Sequence, residues 1–143
     1  MTVSAILSGK GRDVFQERGN TPLSDICTVL AEKGIGAILI TDADQHIEGI
    51  ISERDVVKAI AKKGAAALDL PVSSVMTTSV VTCEEGETVA EVMAKMTSGR
   101  FRHVPVVKEG KVAGVISIGD VVKHKIAQVE MEAEQMRSYI TMA

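Results

Sequence analysis

The 143-residue chain is 45% hydrophobic and 24% charged, a balance that suits one compact domain or two small fused halves. A formal net charge of −3, with Phe15, Phe101 and Tyr139 as the only aromatic residues, supplies neither the basic face nor the stacking platform of a general nucleic-acid binder. No apolar run nears the ~18 residues that span a bilayer, and Met1–Gly11 lacks a signal peptide's apolar middle, so no membrane role and a cytoplasmic location are expected.

Val3-Ser4-Ala5-Ile6-Leu7 reads as a short opening helix or turn, and Asp13–Gln16 as a brief strand. Thr21-Pro22 starts a helix, with Thr21 as cap and Pro22 at the first helical position; Leu23, Ile26, Cys27 and Leu30 share a face, and Gly34 ends it. Ala37-Ile38-Leu39-Ile40 is a continuous apolar run, expected as a strand buried on both faces. After the turn Asp42–Gln45, Ile47–Ser52 returns as a strand and a helix runs from Asp55 to about Lys63. Gly64–Pro71 links to a second pass.

That second pass repeats the first. Gly49-Ile50-Ile51-Ser52-Glu53-Arg54-Asp55 is echoed by Gly114-Val115-Ile116-Ser117-Ile118-Gly119-Asp120, and both continue as Val-Val-Lys. Val72–Met76 echoes Val3–Leu7, Val80-Val81 is expected as a strand like Val14-Phe15, Thr88–Met93 matches the helix start at Pro22, and His103–Val107 matches Ala37–Thr41. Pro105 lies inside that last strand pattern, where it has no N–H for the ladder, so a bulge, an edge or a bound group is expected beside it. The final helix departs from the repeat. Val122, Ile126, Val129, Ala133, Met136 and Ile140 step by 4, 3, 4, 3 and 4, a narrow seam suited to a second subunit or to folding back over its own sheets.

No catalytic set emerges. Cys27 and Cys83 stand alone, His46, His103 and His124 do not cluster with them, and neither a nucleophile elbow nor a phosphate loop is formed. Binding is the better reading. Ser52 with Asp55, and Ser117 with Asp120, each place a hydroxyl and a carboxylate at a helix N-terminus; the carboxylate suits ribose hydroxyls and the helix N–H groups suit phosphate. Arg54 and Arg102 offer bidentate phosphate contacts, and Ala37–Ile40 with His103–Val106 offer a dry slot for a base. Alternatively the Ser and Asp residues are turn and cap residues that duplication has copied.

The paired pattern, with Ala37-Ile38-Leu39-Ile40 and Arg102-His103-Val104-Pro105-Val106-Val107 before it, resembles a tandem pair of CBS domains (the cystathionine-β-synthase type repeat, or Bateman module), of the kind found as short stand-alone bacterial proteins. The resemblance spans about Val3–Ile126. It implies an α+β fold of two β-α-β-β-α repeats, residues 1–68 and 69–126, packed through their sheets with pseudo-twofold symmetry, and leaves 127–143 as a helical extension expected to contact a second copy. It also implies two clefts that take AMP, ADP, ATP, S-adenosylmethionine or NAD(H). Asp55 and Asp120 carry over as the ribose-gripping positions and Ser52 and Ser117 as their hydroxyl partners. Gly36, Ala37 and Ile38 in one half, and Arg102, His103, Val104 and Pro105 in the other, carry over as cleft-facing strand starts. Lys10, Arg12 and Thr77 belong to the segments that close the clefts. Arg54 against Gly119, and Arg102-His103 against Gly36-Ala37, imply that the clefts draw positive charge from different places, with Arg102 near the axis serving both. One strong and one weak site, or one elongated ligand such as NADH across both, follow as expectations. The function implied is a non-catalytic adenine-nucleotide sensor, homodimeric and acting on an unknown regulated protein. A structural interaction protein with vestigial pockets, or an enzyme with an adenine cofactor, is the alternative.

Overall fold

The computed structural model describes residues 1–142. After helix α1 (Val3–Lys10), the first half runs β1 (Gln16–Glu17), α2 (Leu23–Lys33), β2 (Ala37–Thr41), β3 (Ile47–Ser52) and α3 (Glu53–Lys63). Two 3₁₀ turns, Gly64–Asp69 and Val72–Ser74, lead to α4 (Val89–Gly99), β4 (His103–Lys108), β5 (Lys111–Ser117) and α5 (Ile118–Met142). Local chemistry sets the boundaries. Pro22 is extended (φ −62°, ψ 144°) and lies just outside α2 rather than at its first position, and no side chain caps that helix, so Thr21 is not the expected cap. Thr88 does cap α4, accepting from the Glu91 N–H at 3.1 Å. Gly34 takes the left-handed conformation that closes α2 (φ 62°), and its N–H bonds the Leu30 carbonyl.

The repeat is visible in the sheets and breaks in one place. In the first half β1 pairs parallel with β2, and β2 antiparallel with β3; in the second half only β4 and β5 pair. The two β-ribbons share one register: Ala37 faces Ser52 and His103 faces Ser117. The missing strand falls where Val80-Val81 was expected. Pro105 occupies the position of Leu39, whose N–H bonds the Phe15 carbonyl at 3.1 Å. Without an N–H, Pro105 cannot hold the matching carbonyl, and only Cys83 is stitched to β4, through Pro105 O and Val107 N at 2.9 Å each. The register shift at Val106/Val107 is not the proline's doing, since the first half has the same shift at Ile40/Thr41. In the first half the strand itself is displaced from the expected Asp13–Gln16 to Gln16–Glu17.

Each half has its own core, and each core borrows from the other half's opening segment. Leu23, Ile26, Ile38, Ile40 and Ile51 pack with Val72, Val75 and Met76, whereas Val92, Val104, Val106 and Ile116 pack with Val3, Ile6 and Leu7. Spatially, α1 therefore joins the second half, and a cut at 68/69 does not separate the two cores. This exchange explains the repeated glycine. A Cβ on Gly49 would lie 2.5 Å from Met76 Sδ and 2.8 Å from the Thr77 carbonyl, and one on Gly114 would lie 2.8 Å from Leu7 Cδ2. Leu7 and Met76 are matching positions of the echoed segments, each laid across the other half's sheet. Burial, with Glu87 nearby, pushes the Cys83 thiol up to about 11 despite the opposing Lys95, so Cys83 is a packing residue.

Helix α5 does not fold back. Only Val121 is buried along its 25 residues, and Val122, Ile126, Val129, Met136 and Ile140 stand 48–67% exposed. Among the described residues, no helix is long and apolar enough to cross a membrane.

Candidate ligand clefts between the halves

Where β3 runs into α3, the chain builds a reciprocal cap. Asp55 N–H donates to Ser52 Oγ at 3.3 Å, while Asp55 Oδ2 accepts from Ser52 N at 3.0 Å and Ser52 Oγ at 3.0 Å. Helix α3 thus starts at Glu53, two residues before the expected Asp55. The other carboxylate oxygen, Oδ1, receives only the Thr77 hydroxyl, at 3.2 Å. A carboxylate has about four acceptor sites, so Asp55 keeps lone pairs for a further donor. Thr77 is brought there by a two-bond bridge to β3, its N–H and C=O each 2.9 Å from the backbone of Ile50.

The second corner has the same cap and a different neighbour. Ser117 N–H donates to Asp120 Oδ2 at 2.9 Å and Asp120 N–H to Ser117 Oγ at 3.1 Å. The Lys10 ammonium, arriving from α1, donates to Asp120 Oδ2 at 2.6 Å and to the Val115 carbonyl at 2.8 Å. Burial works to raise the Asp120 pKa and is the largest influence. Lys10 and the Ser117 donors outweigh it together and hold the carboxyl below its usual value. The cap explanation of both Ser–Asp pairs is therefore satisfied, and the two carboxylates differ in what is left over.

Two clefts open between the halves. The larger, about 610 Å³, lies over Ser52, Asp55 and Thr77 and extends to Phe101 and His103. Arg54, Lys58, Arg100 and Arg102 also line it, and none of these four cations is in an ion pair among the described residues. The smaller, about 300 Å³, runs from Lys10 and Ser117 past Ala37 and Ile38 to Asp13 and Phe15. His103 and Gly36 border both clefts and meet between them: a Cβ on Gly36 would stand 3.3 Å from His103 Cε1. Burial, then Lys10 and more weakly Arg102, push His103 below its usual pKa, against a smaller upward pull from Asp120 and Glu53.

Of the residues singled out in the sequence, the larger cleft gathers Gly36, Ser52, Arg54, Asp55, Thr77, Arg102 and His103. The smaller gathers Lys10, Gly36, Ala37, Ile38, His103 and Ser117, with Asp120 behind Lys10. Val104 and Pro105 are buried in the second half and border neither cleft, and Arg12 is turned to Glu85 in an ion pair. The expected division of charge is also corrected. Each cleft pairs the Ser–Asp corner of one half with the strand start of the other, so Arg54 and Arg102 converge on the same cleft. Arg102 lines only the larger cleft, whereas Gly36, Ile50 and His103 line both.

Lys58 and Arg100 were not foreseen. Lys58 lies four residues after Arg54 on α3, a spacing that puts both on one helical face. Arg100 holds, at φ 57°, the left-handed position that Gly34 holds in the first half. A non-glycine residue there is uncommon enough to be a signal, and comparing the two halves position by position reveals it.

An α+β pair of repeats with ligand-sized clefts at matched corners defines a class, and the chain belongs to it: the CBS-domain family, whose CBS domain profile matches residues 12–62 and 72–127. Among solved structures, a CBS-domain-containing protein of Agrobacterium tumefaciens is 46% identical, with 87% of this chain and 99% of that chain covered and a TM-score of 0.85. A CBS domain protein of Pyrobaculum aerophilum complexed with AMP is 27% identical (84% and 89% covered, TM-score 0.75). The CBS domain pair of protein MJ0100, in complex with 5-methylthioadenosine and S-adenosyl-L-methionine, is 25% identical (90% and 98% covered, TM-score 0.80). A CBS domain-containing protein of Arabidopsis thaliana is 32% identical over 81% of this chain, and the chain spans about a fifth (21%) of that relative's length.

Proposed function

We propose that the chain is a non-catalytic regulatory module that binds an adenosine nucleotide in the Asp55 cleft, with AMP as the probe of choice. The observation that carries this reading is the four unpaired cations, Arg54, Lys58, Arg100 and Arg102, around a carboxylate with free acceptor sites. The carboxylate suits a ribose diol, and the cations suit the phosphate. The relatives complexed with AMP and with S-adenosyl-L-methionine support the adenosine part. Gly36 and His103 close on each other between the clefts, which favours a mononucleotide over NAD(H) lying across both. A thermal-shift panel tests it. A ligand at 100 times its dissociation constant adds about 2.7 kcal/mol of stability. AMP is expected to raise the midpoint in wild type and not in Asp55→Ala; no shift with any adenine compound sinks the reading in favour of a structural interaction protein.

The signal is read, in this proposal, through a homodimer formed by α5. An antiparallel pair centred on Val129 sets Ile118 against Ile140 and Val122 against Met136 of the second copy, all exposed apolar residues. The same register brings Lys123 and Lys125, near one helix end, against the zone of Glu132 and Glu134. Exposed pairs of this kind add little energy and serve mainly to set direction. Analytical ultracentrifugation of Val129→Glu should show a monomer where wild type is a dimer; a wild-type monomer at tens of micromolar overturns it.

A further inference from the structure

Lys10 has no counterpart in the larger cleft. There, Thr77 makes two bonds to the corner: its N–H to the Ile50 carbonyl at 2.9 Å and its hydroxyl to Asp55 at 3.2 Å. In the smaller cleft Ile50 and Asp55 are matched by Val115 and Asp120, and one ammonium makes both bonds, at 2.8 and 2.6 Å. The exchange alters the chemistry. A hydroxyl donates one proton and leaves the carboxylate's charge in place, whereas the Lys10 ammonium offsets that charge from Oδ2, the oxygen that also accepts the Ser117 N–H.

We propose that Lys10 is a tethered plug. From the wall of the smaller cleft its ammonium offsets the Asp120 charge that a ligand would otherwise meet, so the chain keeps one working adenosine site, in the Asp55 cleft, and the second becomes available only when Lys10 is withdrawn. The plug does not depend on a strong ion pair: the two side chains are 35% and 21% exposed, and such pairs are weak on their own. It depends on tethering. Val3, Ile6 and Leu7 hold α1 in the second core, so the ammonium competes with free ligand at an effective concentration on the order of millimolar or above. Whatever displaces α1 from that core would unmask the second site, which makes the N-terminal helix a control element for ligand stoichiometry.

The proposal rests on the adenosine reading above, and calorimetry with AMP on the full chain separates the two. Wild type is expected to bind one AMP per chain and Lys10→Met, which keeps the apolar stem, two. Asp55→Asn should bind none and the double variant one. Two sites in wild type, or one in both wild type and Lys10→Met, overturns the plug while the adenosine reading stands. No binding by any of the four overturns the reading and the plug together. Lys10→Gln serves in place of Lys10→Met if the latter does not fold. Carboxyl ¹³C shifts in wild type give a second measure: stoichiometric AMP should move Asp55 and leave Asp120 unmoved, and movement of both counts against the plug.

Discussion

The Asp55 and Asp120 corners are the same piece of chain twice, with the same reciprocal cap at the start of a helix, yet they present opposite electrostatics to their clefts. Asp55 keeps free acceptor sites beneath Arg54, Lys58, Arg100 and Arg102; Asp120 is neutralised by Lys10 in a cleft half the size. The difference is imported. Each corner is completed by the strand start and the opening segment of the other half, so Arg102 and Thr77 finish one cleft while Ala37 and Lys10 finish the other. Duplication copies a scaffold; its chemistry diverges through the residues that cross over.

The largest expected effect separates the two corners. Asp55→Ala and Asp120→Ala each remove a capping box, and each should cost about 1 kcal/mol of stability. Their effects on ligand should diverge: Asp55→Ala is expected to weaken AMP by about 100-fold, or 2.7 kcal/mol, and Asp120→Ala by less than about threefold. Isothermal titration with denaturant melts in parallel checks both. An equal loss of affinity in the two variants would remove the functional difference between the corners.

A second contrast concerns the repeated glycines. At Gly49 an added Cβ meets the Thr77 backbone carbonyl at 2.8 Å as well as Met76, whereas at Gly114 the three nearest atoms all belong to the Leu7 side chain. A side-chain tip can move aside; a backbone held by two hydrogen bonds to Ile50 cannot. Gly49→Ala should therefore destabilise by about 1–3 kcal/mol, and Gly114→Ala by less, in urea melts of the two variants. Gly49→Ala should also displace Thr77 from Asp55 and weaken AMP. Equal destabilisation would mean that the two opening segments are held alike.

Much of the fold was legible because hydrophobic period and repetition agree. Ala37–Ile40 reads as a doubly buried strand and is one, and the two Ser–Asp corners stand out because the sequence repeats them. The crossing of segments was not legible. Nothing in Val3–Leu7 or Val72–Met76 says which core will bury it, so the Lys10–Asp120 pair, 110 residues apart in sequence, could not be read. The same blindness put Arg54 and Arg102 in separate clefts. The resemblance places Arg12 with Lys10 in the segment that closes a cleft, but an acid from the other half, Glu85, pairs with it.

His103, at the partition between the clefts, gives a smaller effect with a definite sign. Its folded pKa lies below the ordinary value of about 6.5, chiefly through burial and then Lys10. The neutral ring therefore contributes stability that is fully present above the unfolded value and is lost as pH falls through the folded pKa. His103→Gln should flatten the stability profile on the acid side of neutrality by a fraction of a kcal/mol. Lys10→Met should raise the His103 pKa, followed by the ring Cε1–H resonance, because it removes a repelling charge. A shift in the opposite sense would show that Lys10 does not face the partition from the smaller cleft.

The smallest effect tests why one sheet has three strands and the other two. Pro105 stands where Leu39 donates to the Phe15 carbonyl at 3.1 Å, and Val81 is the match of Phe15. Pro105→Leu restores the donor. One hydrogen bond contributes roughly 1 kcal/mol net. Relief of the restricted unfolded chain takes back about 0.4–1 kcal/mol. The midpoint is therefore expected to move by no more than a few degrees in a domain of this size. Amide exchange is the sharper measure: the new N–H at position 105 should be protected to the level of Leu39, and Val81 should gain order. A freely exchanging amide at 105 would place the cause of the lost strand in Val80-Val81 themselves, which line the Asp55 cleft. Strand formation would draw these residues toward β4 and out of the cleft wall, so protection at 105 should come with weaker AMP binding, tying the missing strand to the larger cleft.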